Sequence, residues 1–600
     1  MKPWSISTTV RNPERIRDFL GVLKHLEGKP FNTDNQEKYQ ILLIQNKFYK
    51  PLNIPIKFQK YYDNPELEIP FKIASEIFYH QDYEDPAMRG RQSVNPLNKL
   101  GFSIAREREG NIIITELGNH YISGEYDIGY IFFKSLLKLQ FPNPWSSDFS
   151  TKDGFDVQPL ISTMHLINNV NKKSDKKGLT QIEFCLFVPT LINNNLIDYY
   201  VEMIFKYRKE RNKDKFIKDF AKEFYQTNNL IDKQIKNFYE YGDNIMRYFR
   251  LTKYFKVATD KFGSDWRIDF EPSRKLEIEL ILNKFNGQSL KFKNKDEFLN
   301  YISDITLPKL PSEDLVNLKA IAHSLVINIL KFAKDNNVLL SNHEKNIIES
   351  RIDDASKKEV EELISNVRKI NLALIERQNK SYLLYNVDKL KSIISDLKNS
   401  KILKKYAPEQ FEKIIAEALK IINDEIRIQP NYPVDDQGEP IDHASGGKPD
   451  IECYYNSYNA ICEVTLDSSR NQWMRESQPV MRHLWEFEKS SSNTLNYCLF
   501  IAPKIHIDTV FYFWTSIKHG YASPSDNIIT QKIVPISSEQ FAMILETCLK
   551  LIEKGKRFSH NEIGELYNGV ISLKDSVNSH TEWYKNIPQI IEEWKRKIVA

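Results

Sequence analysis

Apolar positions along this chain follow more than one period, and the changes of period divide it. Asn12 to Leu23 places Phe19, Leu20, Val22 and Leu23 along one face of an amphipathic helix. Ala87 to Leu100 predicts a second helix, followed by Gly101 to Ile104, a charged tip at Arg106 to Gly110, and Asn111 to Thr115. That order reads as a helix followed by a two-stranded hairpin, with Glu116-Leu117-Gly118 leading out of it. Phe132 to Leu139 reads as an apolar helix, and Thr180 as the cap of another that begins within Gly178 to Phe184. Helix and hairpin recur at Asn244 to Tyr254, a turn at Asp260 to Ser264 and a strand at Trp266 to Phe270. Each such pair predicts a winged-helix module, a form that commonly presents a helix to the DNA major groove.

From about Lys275 a helical period dominates. Leu276 to Lys284 is helical, and residues 307 to 422 form long amphipathic helices, among them Ser312 to Asn336, capped by Ser312, and His343 to Gln378. Charge is dense there, glycine is nearly absent, and no repeat of fixed period occurs. The heptad register is not sustained, which favours a helical connector over a coiled-coil dimer.

Shorter apolar runs then return. Ile451 to Tyr455 and Ala460 to Thr465 predict two strands around a turn at Asn456 to Asn459, followed by a polar helix from Gln472 to His483. Leu495 to Pro503 has the composition of a buried central strand. Ile529 to Ile536 predicts a further strand, before a helix capped at Ser537 or Ser538. Strand and helix alternate as in an α/β sandwich.

The length of 600 residues implies several domains, and 41% hydrophobic with 12% aromatic content excludes global disorder. Lys and Arg total 84 against 80 Asp and Glu, so net charge does not announce a nucleic-acid ligand and local patches must carry that reading. Five cysteines without zinc-finger spacing point to buried, reduced thiols and a cytoplasmic setting. The N-terminus lacks a signal-peptide core and no run approaches a membrane span, so no membrane association is expected.

The chemistry concentrates at two acids. Asp450 opens one predicted strand, and Glu463 lies inside an apolar one between Cys462 and Val464. A buried carboxylate must be paired, protonated or metal-bound. Two on adjacent strands repel, and a hard divalent cation relieves that repulsion and supports phosphodiester hydrolysis. Candidate DNA contacts are Arg11 and Arg15 at the start of the first helix, and Arg89, Arg91 and Gln92 as base readers ahead of the first hairpin. Arg247, Arg250 and Lys253, three residues apart, form a phosphate-facing stripe.

Pro449-Asp450 and Glu463-Val464-Thr465 resemble the PD-(D/E)xK nuclease core, with Thr465 where the pattern has lysine. His443-Ala444, Gly446, Gln472, Glu476-Ser477, Pro479-Val480, Arg482-His483 and the N-terminal stretch Trp4 to Arg15 extend the likeness. Together they resemble the AlwI-type Type IIS restriction endonucleases, a group that includes site-specific nicking endonucleases. The resemblance implies a multidomain α+β protein with three parts: winged-helix DNA recognition in 1–275, an all-α helical linker in 276–402 and a PD-(D/E)xK-like α/β nuclease domain in 403–600. It implies Mg²⁺, with Mn²⁺ able to substitute, held by Asp450, Glu463, the Val464 carbonyl and a further acid, Glu412, favoured over Glu417 because Phe411-Glu412 aligns with the family. The implied catalytic set is Glu412, Asp450, Glu463, Glu476 and His483, while Lys448, Arg482 and His483 are candidates for the charge missing at Thr465. Implied partners are double-stranded DNA, a transient homodimer or second small nuclease subunit for double-strand cleavage, and a cognate DNA methyltransferase of the same restriction–modification system. The rival readings are a strand-specific nickase, as the large subunit of a heterodimer, and a DNA-binding protein with a degenerate nuclease fold.

Overall fold

The computed structural model describes the chain apart from residues 1, 8, 9, 11, 12, 64–66, 146–148, 259–266, 386, 423–426, 436, 437, 441, 445, 446, 471, 492, 524–526, 557–559 and 600. It is mixed α and β, mostly helical with small sheets. Two compact units form. The first comprises Met1–Ala258, Asp265–Leu330 and Lys345–Arg368, and the second includes Lys331–Glu344 and Lys369–Ala600. The helical stretch 276–402 is thus shared between two cores rather than set apart.

In the first unit, helix Pro86–Lys99 leads into β1 (Ser103–Ile104), antiparallel to β2 (Ile113–Ile114). Asp85 caps that helix by accepting the Met88 N–H at 3.0 Å, and Pro86 occupies the first turn, where a missing N–H costs nothing. Its packing against Thr33–Gln45 depends on Gly90, where a Cβ would lie 2.0 Å from the Gln36 carbonyl oxygen. The charged tip between the strands is tied down by the protein itself. Arg106 lies 4.3 Å over the Trp145 ring, while Glu109 accepts the Trp145 indole N–H at 2.9 Å and Lys295 at 2.6 Å.

The second helix–hairpin is longer than its sequence suggests. Helix Asp232–Leu251 runs a full 20 residues. With β3 (Leu179–Thr180), β4 (Phe255–Ala258) and β5 (Arg267–Phe270) it adjoins an antiparallel sheet of order β3-β5-β4. The turn expected at Asp260 to Ser264 lies outside the described residues. Thr180 caps Gln181–Phe187 in a capping box with Glu183, as expected. Helix Ile128–Lys138 buries two lysines completely: Lys134 bonds the Pro308 carbonyl at 2.8 Å, and Lys138 the Asp304 carbonyl at 2.6 Å.

Three helical expectations need correction. The helix placed at Ser312 to Asn336 begins instead at Leu315, because Asp314 accepts the Val316 N–H at 3.0 Å and acts as the cap. His343 to Gln378 is two helices, Asn342–Ile348 and Lys357–Tyr385, since Ser356 and Glu359 bond each other's backbone N–H and start a new helix. Leu315–Asp335 is also long and apolar enough to cross a membrane by length and composition, contrary to the expectation that no run approaches a span. It buries Leu318, Ile321, Ala322, Leu325 and Ile329 as a core-facing stripe, and its Lys319 bonds the Asp353 carbonyl.

The second unit is built on five strands: β6 (Arg427–Pro430), β7 (Ile451–Tyr454), β8 (Asn459–Val464), β9 (Asn496–Ala502) and β12 (Ile533–Ser537). A separate short hairpin, β10 (Tyr521–Ala522) and β11 (Ile528–Ile529), precedes the last of them. The sheet order is β12-β9-β8-β7-β6, with the β12, β9 and β8 pairs parallel and the β8, β7 and β6 pairs antiparallel. Parallel neighbours need crossover segments, and Gln478–Ser490 and Ile507–Lys518 supply helices there. Covered on both faces, β9 is buried at every position, which explains its unbroken apolar run. Ser537 rather than Ser538 caps the next helix, Ser538–Glu553.

Candidate active site

The hairpin β7–β8 brings the two acids together. Ile451 pairs with Cys462, so one step outward the same antiparallel register sets Asp450 opposite Glu463. Directly opposed residues share a face of the sheet. Asp450 Oδ2 accepts the Val464 N–H at 2.7 Å, which fixes its carboxylate at the strand end. Glu463 is 5% exposed, and its Oε1 meets His483 Nδ1 at 2.8 Å.

Two helices complete the cluster. Pro408–Ile422 carries Glu412, which is buried and accepts the Ala444 N–H at 3.1 Å. Glu417, on the same helix, is instead paired with Lys389 at 3.1 Å. Glu476 comes from a π turn, Trp473–Ser477, just ahead of Gln478–Ser490. Pro479 has no N–H to return to that turn, and a wider turn of this kind recurs at functional sites. Buried Gln472 anchors the turn, bonding the Asp467 and Lys504 carbonyls at 2.5 and 3.0 Å and the His506 N–H at 2.8 Å.

The electrostatics report crowding of like charge. Burial, then the charge of Asp450, raises Glu412 from 4.5 to about 8. Burial, then Glu463, pushes Asp450 well above the usual carboxylate range. Burial, then Glu476, does the same to Glu463. Glu476 is raised by burial, against a hydrogen bond from the Thr465 hydroxyl. His483 is driven down to about 4 by burial and then by Arg482, so it is neutral near neutral pH. Exposed His443 is raised to about 9, chiefly by its hydrogen bond to Asp442.

The position that would hold lysine thus does a different job. The Thr465 hydroxyl donates to Glu476 and accepts the Asp467 N–H at 3.1 Å. Nothing in the local pattern forecast this, because it depends on where the π turn carries Glu476.

These donors suit a hard cation. They are carboxylate oxygens whose mutual repulsion a divalent ion would offset, and Val464, directly after Glu463 in the chain, donates its N–H to Asp450. Among the described residues no three His, Cys, Asp or Glu side chains converge as a ready-made metal site.

The expected DNA-contact residues lie in the first unit and are mostly engaged within the protein. Arg11 is outside the described residues. Arg15 bonds the Phe48 carbonyl. Arg89 lies 4.3 Å over Tyr83, and Arg91 bonds Asp85 at 2.5 Å and Gln36 at 2.9 Å, whereas Gln92 is exposed. Arg247 bonds Asp243 at 3.1 Å, and Arg250 is half-buried on the same helix. Lys253 does not continue their stripe: the helix ends at Leu251, and Lys253 has a φ of +62° and reaches Asp127 at 2.8 Å.

Among solved structures, the chain is similar to the small subunit of the heterodimeric restriction endonuclease R.BspD6I. Identity is 21% over 35% of this chain and 97% of that one, with a TM-score of 0.26. It is also similar to restriction endonuclease FokI, at 12% identity over 95% of this chain and 99% of that one, TM-score 0.23. For FokI bound to DNA the identity is 12% over 92% and 96%, TM-score 0.22. No curated protein matches the sequence. The model of the AlwI restriction endonuclease family matches residues 98–544, downstream of the Trp4 to Arg15 stretch and through the whole acid cluster. Spanning well over half its length, that match makes this chain a member of the AlwI restriction endonuclease family.

Proposed function

We propose that this DNA nuclease is a Type IIS restriction endonuclease, which binds a short asymmetric sequence through its N-terminal unit and hydrolyses a phosphodiester bond a fixed short distance outside it. The observation that carries the reading is the crowding of Asp450 and Glu463, from one hairpin, with Glu412 and Glu476, from two helices, whose charges raise one another's proton affinity. So many carboxylates of raised proton affinity in one buried place are costly to fold, and a structural role would not require them.

In this reading Asp450 and Glu463, with the Val464 carbonyl, hold Mg²⁺ or Mn²⁺. Bound there, the ion would polarise the phosphate and acidify a water molecule. Val464 N–H keeps the Asp450 carboxylate oriented, and neutral His483 does so for Glu463 by donating from Nδ1. The water oxygen bonds to phosphorus as one P–O ester bond breaks; the water's proton passes to a carboxylate of the cluster, and solvent protonates the departing alkoxide.

The crowded acids around Asp450 form one active site, and one such site hydrolyses one strand at a time. This favours a second reading, strand-specific nicking, with double-strand cleavage requiring a second copy or a small nuclease subunit. Incubating the protein with supercoiled plasmid in Mg²⁺ and sequencing the ends separates the readings. Paired offset breaks beside one sequence support the first, and breaks confined to one strand support the second. Uncut plasmid in both Mg²⁺ and Mn²⁺ would reject both.

A further inference from the structure

Thr465 leaves this nuclease core without the cation that its pattern normally places beside the acids. Arg482 stands one residue before His483 on helix Gln478–Ser490, with a side chain only 12% exposed. The adjacent His483 meets Glu463 Oε1 at 2.8 Å through Nδ1, which sets this stretch of the helix beside the acids. Yet the guanidinium is under-used. Among the described residues the buried Nη1 has no hydrogen-bond partner, and Nε comes no closer than 3.8 Å to Glu486 Oε1, beyond hydrogen-bond range. A buried, charged N–H left unmade is costly, and such groups recur where a ligand completes the set.

The other candidates are committed elsewhere. His483 is bonded to Glu463, Lys448 is exposed, and His443 is exposed and paired with Asp442 at 2.7 Å.

We propose that Arg482 is the cationic residue of this active site, its Nη1 N–H donating to a non-bridging oxygen of the scissile phosphate in place of the lysine absent at position 465. The inference rests on the nuclease reading above. A guanidinium stays protonated throughout the working range, so Arg482 neither activates the water nor protonates the leaving group. It stabilises the charge that builds on the phosphoryl oxygens in the transition state, and its effect belongs in the rate of cleavage rather than in DNA affinity.

The test uses the full-length protein and a duplex containing a site that the wild type has been shown to cut. Single phosphorothioates of each handedness are placed at the cut bond. R482Q should cleave the unmodified duplex ~10²- to 10³-fold more slowly, with the dissociation constant for DNA within about twofold of wild type. The wild type should discriminate between the two phosphorothioates, and R482Q should lose that discrimination. R482K, which keeps the charge, should recover part of both rate and discrimination, and it decides the matter if R482Q melts early. Cleavage by R482Q at the wild-type rate overturns the proposal, as does slow cleavage with undiminished discrimination, which a merely structural role would give. Wild-type protein that cuts no duplex overturns the nuclease reading and this inference with it. Wild-type cleavage alongside unimpaired R482Q overturns the inference alone.

Discussion

Replacing Asp450 by Asn should make the protein more stable and inactive at once. Asn keeps an oxygen to accept the Val464 N–H now held at 2.7 Å, so the local hydrogen bond survives. What disappears is one of four crowded carboxyl groups, each raised in proton affinity by burial. The size of the effect follows from Glu412, whose proton affinity stands at about 8 against an ordinary 4.5. That gap corresponds to ~5 kcal/mol of disfavour for its charged form. Burial accounts for the larger part and Asp450 for the next, so removing Asp450 relieves ~1–2 kcal/mol at neutral pH. In a unit of this size, that is an increase of roughly 2–8 °C in the melting temperature of the second unit in EDTA. Magnesium should reverse the ranking. If Mg²⁺ binds with a dissociation constant of about 1 mM, a tenfold excess stabilises the wild type by ~1.4 kcal/mol and leaves Asp450→Asn unmoved. Cleavage of plasmid by the variant should fall more than ~10²-fold, beyond the loss typical for groups that only support a ligand. Differential scanning fluorimetry across a Mg²⁺ series, read beside a plasmid digest, tests all three effects. A variant that melts lower than wild type in EDTA, gains the same stabilisation from Mg²⁺, or cuts normally would refute the argument.

Removing the imidazole that orients Glu463, in His483→Ala, should slow cleavage ~10–100-fold with DNA affinity unchanged; gel-shift and digest measured together would show it, and a rate within twofold of wild type would count against the role. Gly90→Ala should destabilise the first unit by ~2–4 kcal/mol, because its methyl meets the Gln36 carbonyl at 2.0 Å, and a melting curve unchanged from wild type would contradict that packing. Lys138 supplies a pH test. Burial lowers it from 10.5 to about 7, so the unfolded chain binds the extra proton between those values and stability rises with pH across that window. Lys138→Met should therefore stabilise the first unit most at or below pH ~7, by ~1–3 kcal/mol after loss of the Asp304 bond, and least near pH ~10; denaturant melts showing no such convergence would rule this out. Arg247→Ala should weaken DNA binding evenly across sequences and flatten the salt dependence by about one phosphate contact, whereas a change confined to one sequence would make Arg247 a base reader.

The sequence by itself determined what local chemistry decides. A capping residue such as Thr180, the hairpin around Asn456 to Asn459, and the apolar run of β9 are each written in a few neighbouring positions, and the structure has them where those positions put them, while the choice of Ser537 over Ser538 as a cap is the structure's. So is the nearness of Asp450 and Glu463, because a tight hairpin with a fixed register converts 13 residues of chain, from 450 to 463, into a facing pair. Where long helices break was less legible. Asp314 and Ser356 override a continuous amphipathic pattern with side-chain bonds to the backbone, and periodicity does not register such bonds. Strand β6 is not legible in the sequence, because four residues at a sheet edge carry too little pattern, and their identity as a strand comes from pairing with β7. The same limit governs the site. Which acid of Pro408–Ile422 joins the cluster, why Thr465 serves Glu476, and where Arg482 leaves an unpaired N–H depend on the approach of segments distant in sequence, set by packing of the whole unit rather than by any local run of residues.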